Sequence, residues 1–306
     1  MTFQKLLIGA SMAIGVSALA TAPAHALSFE FNNTKEINTY TGGSSATFIK
    51  GDAQGGTDAA IKALTDNDPT SNVELWSSDE NPTSNVGFTT TVDGKSVTVS
   101  SITKDDWKIF GSQWLDGFLQ AHSTRGITVN GDKVTVGSTT ISKAGLLSSL
   151  LSTGLPSSGD PNIGTFAYDA STSQLTLDII GHKDLKPRLD IKLQNRYATG
   201  NSVWDGMLTG AALQMTSIQA SEIAKVTVGT GNDVQTYFAY SFDAIATGIT
   251  ASDDKESYSG KYTWSQKLPT AVPEPSVMLG LLGVAGVFAS QRKFNESRKS
   301  PPSMYS

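Results

Sequence analysis

Polar and apolar residues alternate along four pairs of short segments, each pair joined by a turn signal. Val86–Val92 and Lys95–Ile102 flank Asp93-Gly94, a dipeptide that favours a two-residue hairpin. Ile127–Val129 and Lys133–Val136 flank Asn130-Gly131-Asp132 in the same manner. Gly164–Tyr168 and Gln174–Ile180 enclose a polar loop at 169–173, and Lys225–Val228 and Val234–Phe242 enclose 229–233. A period of two puts successive side chains on opposite faces, so these segments predict antiparallel strands with one buried face.

Between the strands the period changes to that of helices. Trp107, Phe110, Trp114 and Phe118 recur at steps of three and four, with Leu115 and Leu119 alongside. Thr103 is placed to cap this helix, and Asp105 and Asp106 in its first turn suit the helix dipole. Thr57 is placed to cap 58–64, Ser142 to cap 143–151 and Ser202 to cap 203–215. The expected fold class is α+β, predominantly antiparallel β, with three or four helices. The Pro-, Ser- and Gly-rich stretch Leu155–Asn162 is the best place for a division into subdomains. Pro69-Thr-Ser-Asn-Val73 recurs as Pro82-Thr-Ser-Asn-Val86, which reads as two similar turns entering strands rather than a solenoid repeat.

The two ends differ from this pattern. Lys5, the apolar run Leu6–Ala20 and the small-x-small site Ala24-His25-Ala26 have the three parts of a secretory signal peptide, with cleavage expected after Ala26. At the other end, Pro273-Glu274-Pro275 precedes an uncharged stretch from Ser276 to Ser290, followed by Arg292 and Lys293. As a helix that stretch reaches roughly 22 Å, short of a hydrocarbon core of ~30 Å, so spanning calls for local thinning or snorkelling. The positive charge behind it favours the cytoplasmic face and leaves the main domain outside.

In this order of parts the tail resembles the PEP-CTERM sorting signal of bacterial exported and envelope proteins. The resemblance rests on Pro273, Glu274 and Pro275, the short apolar helix Val277–Ala289, and the basic pair Arg292 and Lys293. It implies export through the Sec translocon, retention at the membrane and processing near Pro-Glu-Pro by an exosortase-type membrane enzyme. It also implies a setting rich in extracellular polysaccharide. One departure is the extension 295–306, longer than the brief basic end usual for the family. The stretch from Asn72-Val-Glu-Leu75 through Trp107 to Gly111-Ser-Gln-Trp-Leu115 is similar to an uncharacterised group of cyanobacterial proteins with the same tail, and this similarity brings no activity with it. The expected organisation is a signal peptide at 1–26, a β-rich ectodomain at 27–270, the sorting signal at 271–294 and a disordered tail at 295–306.

Charge and cysteine usage narrow the function of the middle part. Residues 27–275 carry 18 basic and 27 acidic residues, a net charge of about −9 that argues against a nucleic-acid partner. The chain has no cysteine, which excludes disulfides, thiolate catalysis and Cys-ligated zinc.

Candidate chemistry is sparse. Asp66, Asp68 and Thr70 alternate like the start of a calcium loop, making Ca2+ the one cofactor to consider. Ser71 then stands where such a loop needs Gly, and Ser77 where it needs Glu, so a turn at a helix end is the plainer reading. The neighbouring pairs Asp105-Asp106 and Asp253-Asp254 diverge along the chain and suit capping and a solvated loop better than paired acid–base work. His122 falls at a helix end and His182 in a turn, and no H-E-x-x-H, G-x-S-x-G or P-loop is present. Of the tryptophans, Trp107 and Trp114 match one helix face, Trp264 suits the last strand, and Trp76 and Trp204 are the candidates for glycan contact. The expected function is an exported, membrane-tethered or exosortase-processed envelope or matrix protein without catalysis. The alternatives are a carbohydrate-binding or adhesion module, and a secreted hydrolase built on His182.

Overall fold

The computed structural model describes residues 27–32, 37–40, 51–66, 68, 71–75, 85–123, 127–136, 139–152, 159–187, 217–250 and 258–269. In chain order the first half runs β1 (Phe29–Asn32), β2 (Ile37–Tyr40), β3 (Gly51–Asp52), α1 (Ala53–Thr65), β4 (Asn72–Leu75), β5 (Gly87–Val92), β6 (Lys95–Ser100) and α2 (Lys104–His122). The small sheet and third helix follow as β7 (Ile127–Asn130), β8 (Lys133–Val136), β9 (Thr139–Ser142) and α3 (Lys143–Ser152). The chain then forms β10 (Asn162–Asp169), β11 (Gln174–Gly181), β12 (Ala224–Val228), β13 (Gln235–Ala239), β14 (Ile245–Ala246) and β15 (Gly260–Lys267).

All four expected hairpins form, and every strand pairing among the described residues is antiparallel. Asp93 and Gly94 both take positive φ, 50° and 72°, as a two-residue primed turn requires. One sheet of five strands has the order β1-β5-β6-β12-β13, and one of seven has the order β14-β15-β11-β10-β4-β2-β3. A third sheet is the meander β7-β8-β9.

The two large sheets share one core. Phe88, Val97, Val99 and Val226 from the smaller sheet meet Val73, Leu75, Ile163, Leu177, Ile179 and Trp264 from the larger in a continuous apolar cluster. Phe29 and Phe88 each meet Phe166 edge-on, with ring centroids 5.7 and 5.8 Å apart. Helix α1 contributes Ala60, Ala63 and Leu64 to the same cluster. It begins at Ala53, ahead of the Thr57 cap expected from sequence, so Thr57 lies inside it.

A second core lies on the outer face of the five-stranded sheet. There α2 buries Trp107, Phe110, Trp114, Leu115 and Leu119 against Phe238 and Tyr240, with Ile127, Val134 and Leu146 packed into the same cluster. The rings of Phe110 and Phe238 stack at 4.0 Å. Helix α3 starts as expected, with the Ser142 hydroxyl accepting the Gly145 N–H. Residues 155–158 of the expected subdomain junction lie outside the described residues, and the described residues through Leu268 belong to one compact unit. The helix expected at 203–215, the signal peptide and the C-terminal apolar helix also lie outside the described residues. No helix among the described residues is long and apolar enough to cross a membrane.

The N-terminus of α2 is tied to the sheet by one carboxylate. Asp106 Oδ2 accepts the Thr103 N–H at 2.8 Å and the Thr103 hydroxyl at 3.0 Å, while the Thr103 hydroxyl accepts the Asp106 N–H, completing a capping box. Asp106 Oδ1 takes the Lys225 ammonium of β12 at 2.7 Å, and Asn85 donates to Oδ2 at 3.3 Å. Burial is the largest single influence and opposes ionisation. The Lys225 hydrogen bond and charge together with the Thr103 donors outweigh it, and hold the carboxyl below its usual range.

A depressed folded-state value stabilises the fold above the unfolded value of about 4, and that contribution fades as pH falls through the folded value. Asp106→Asn is therefore expected to cost about 2 kcal/mol at pH 7, with its deficit against wild type closing in denaturant melts below about pH 4. An equal deficit at pH 3 and pH 7 would assign the loss to packing instead.

Candidate functional site

The sequence candidates divide cleanly by location. The sorting-signal residues Pro273, Glu274, Pro275, Arg292 and Lys293, the cleavage residues Ala24 and Ala26, and the aromatic candidates Trp76 and Trp204 lie outside the described residues. Trp107, Trp114 and Trp264 are at most 5 % exposed, so none of the three offers a free face for sugar stacking.

Asp66 and Asp68 close helix α1. The Asp66 N–H donates to Lys62 O, Asp66 Oδ1 accepts the Asp68 N–H at 3.0 Å, and the Ser71 N–H returns to Asp68 O. Among the described residues no three His, Asp or Glu side chains are grouped to hold a metal. Asp105 pairs with Lys108 in solvent, and Asp106 serves the helix cap.

His122 is fully buried between two partners. Its Nδ1 meets the Phe118 carbonyl at 2.8 Å, and its Nε2 meets the Gln219 N–H at 3.1 Å. The carbonyl needs a donor and the amide an acceptor, so the ring sits as the neutral Nδ1–H tautomer joining α2 to the segment 217–223. His182 gives its carbonyl to the Tyr262 hydroxyl at 2.6 Å.

The constellation that the fold does assemble lies on the outer face of the seven-stranded sheet. Ile37, Thr39, Val73 and Leu75 point into the core, so by alternation Asn38, Tyr40, Asn72 and Glu74 point outward. The register sets Asn38 opposite Glu74, Tyr40 opposite Asn72, and Asn162 of β10 opposite Glu74. Glu74 Oε2 accepts both the Tyr40 hydroxyl at 2.5 Å and the Asn38 amide at 2.9 Å. Glu222 arrives from the extended segment before β12, and its Oε2 accepts the backbone and side-chain N–H groups of Asn162 at 3.1 and 3.4 Å.

Two features frame this face. Gly164 sits in a register irregularity of β10, where a Cβ would lie 2.7 Å from Ile180 Cγ1. Tyr258 packs on Ile180 and lies 6.3 Å from the Tyr40 ring, with a φ of 63° that is uncommon for a bulky residue.

The electrostatics are one-sided. Burial, the charges of Asp160 and Glu74, in that order, push the Glu222 carboxyl well above the ordinary range, against the Asn162 donors. Burial also raises Glu74 despite the bonds from Tyr40 and Asn38. Tyr40 is raised by burial and by the adjacent Glu74 charge. None of the ion pairs among the described residues reaches Glu74 or Glu222. The buried side-chain oxygens of Asn72 and Asn162 accept no hydrogen bond. Among the described residues, the surroundings of Glu74 and Glu222 are thus rich in acceptors, while the Lys261 and Thr263 donors of the same face go to Asp178.

A separate groove of about 320 Å³ runs between α2, β7 and α3, lined by Asp116, Leu119, Gln120, Ser123, Val129 and Lys143. Its two charged side chains satisfy each other, with Lys143 Nζ 2.6 Å from Asp116.

Sequence reasoning missed Asn38, Tyr40, Glu74, Asn162 and Glu222 as a group. Alternation in Ile37–Tyr40 and Asn72–Leu75 carried part of the signal, because it marks which polar residues share a face. Glu222 lies outside any strand, so no periodicity points to it. In comparison with known proteins, the chain matches no family model, no curated protein and no solved structure.

Replacing Glu222 tests the repulsion directly. A raised folded-state value leaves stability intact below the unfolded value of about 4.3 and erodes it as pH rises toward the folded value. In chelator-treated protein, Glu222→Gln is expected to raise Tm by a few degrees at pH 8, about 1 kcal/mol, and to leave it nearly unchanged at pH 4. A lower Tm at pH 8 would show that the carboxylate is a net stabiliser.

Proposed function

We propose that this chain is an exported protein, tethered to the cell envelope or released from it by its C-terminal tail, whose β-sandwich serves in the extracellular matrix without catalysis. The observation that carries this reading is the ordered tail: Pro273-Glu274-Pro275, an uncharged stretch, then Arg292 and Lys293. The absence of cysteine agrees with a fold that rests on apolar burial alone, as the two cores allow. The partners of this reading are the Sec translocon, an exosortase-type enzyme and extracellular polysaccharide.

Intact-mass measurement on the protein recovered from its native host tests it. The expected mature chain starts at Leu27 and, where processed, ends near Pro273–Pro275, and protease added to intact cells digests the ectodomain. A chain that retains Met1 and stays protected until the cells are lysed would overturn the reading.

A further inference from the structure

We propose that the outer face of the seven-stranded sheet is a binding site for a hard divalent cation, calcium, held by Asn72, Glu74, Asn162 and Glu222. The inference stands on the geometry of that face and does not depend on the sorting signal.

Asn162 is the hinge of the arrangement. It lies directly opposite Glu74 across the β4–β10 pair, where facing Cβ atoms are about 5 Å apart. Its own N–H and side-chain NH₂ hold Glu222 Oε2. Both carboxylates therefore neighbour the same amide, whose NH₂ is committed to Glu222 and whose Oδ1 is buried without a donor.

Each carboxylate also keeps an oxygen in reserve. The Tyr40 and Asn38 donors go to Glu74 Oε2, and the Asn162 donors go to Glu222 Oε2. None of these four hydrogen bonds uses the Oε1 of either carboxylate.

Asn72 supplies an independent observation. It is 1 % exposed, shares the outer face with Glu74 two residues on, and faces Tyr40, whose hydroxyl bonds Glu74. Its Oδ1 is buried with no hydrogen-bond partner. A buried amide oxygen without a donor is destabilising, and a ligand able to accept its lone pairs would offset that cost. Among the described residues no ion pair brings a positive charge to these two carboxylates and the amide oxygens that share their face.

The ligand chemistry selects the ion. All four donors are oxygen, with no imidazole or thiolate, which disfavours zinc and copper and suits calcium or magnesium. Carboxylates mixed with side-chain carbonyls, on strands whose spacing is set by the ladder, fit the larger and more irregular shell of calcium better than the strict octahedron of magnesium. Only two carboxylates take part, so water completes the shell. That ligand count puts the affinity near the weak class of extracellular calcium modules, with a Kd of about 10⁻⁴–10⁻³ M.

The test is a calcium titration of the full mature protein after chelator treatment, read by Tm and by terbium luminescence excited through tyrosine. Tyr40 and Tyr258 border the face and serve as donors of excitation. The expected result is sensitised terbium emission that calcium displaces and magnesium displaces far less, with a rise in Tm in millimolar calcium. Glu222→Gln is expected to weaken calcium binding about tenfold or more. Asn72→Leu removes a buried amide oxygen that has no hydrogen-bond partner, so it is expected to fold at least as well and still lose about tenfold in calcium affinity. Asp66→Ala with Asp68→Ala is expected to leave the affinity unchanged. Absence of calcium-displaceable terbium emission in the wild type would overturn the proposal. So would an Asn72→Leu protein that binds calcium as tightly as wild type, or loss of binding confined to the Asp66 and Asp68 variant.

Discussion

Burial of one apolar layer between two antiparallel sheets is the constraint on which the rest of this molecule depends. With no cysteine, nothing covalent closes the chain on itself, and strands from residues 29 to 267 are held by what they remove from water together. Phe29 near the start and Trp264 near the end of the compact unit lie in the same cluster, so the first and last strands are parts of one core. Alternation then dictates everything outside that layer. Every side chain committed to the interior leaves its neighbours pointing outward.

The two outer faces meet that condition differently. On the five-stranded sheet, α2 covers the β13 end, and Asp106 fixes its first turn to Lys225. Across the same face the register aligns Thr89, Thr98, Thr227 and Thr236 in one row, a β-branched ladder whose first two hydroxyls bond each other at 2.9 Å. The polar groups of these four threonines are small and uncharged. On the seven-stranded sheet the outward positions include Glu74, Asn72 and Asn162, with Glu222 brought in from outside the ladder. A bulge at Gly164 and the left-handed backbone of Tyr258 sit beside these residues. Departures from regular geometry gathered beside unmet acceptors are where a binding role is to be sought.

The hairpins and the α2 stripe were legible in the sequence because each is a local pattern: Asp93-Gly94 between alternating runs, or Trp107, Phe110 and Trp114 on one helical face. The start of α1 was less so, since Gly55 and Gly56 weaken the helical signal that tertiary packing of Ala60, Ala63 and Leu64 restores. Strand order was not legible. β12 pairs with β6 across more than a hundred residues, and β4 joins β2 to β10, and no local rule sets either. The acceptor face is hidden for the same reason. Asn38, Glu74 and Asn162 become neighbours only through strand order, and Glu222 only through a segment without periodicity. The Asp66 and Asp68 pair stood out by local spacing, and the fold uses it to finish a helix.

Native-state hydrogen exchange of the mature chain tests the shared core most directly. If the two large sheets enclose one apolar layer, the slowest amides of β6 and β12 and those of β10, β11 and β15 open with the same free energy and the same denaturant dependence, as one cooperative unit. Separate opening energies for the two groups of strands, with one sheet exchanging while the other stays protected, would contradict a common core.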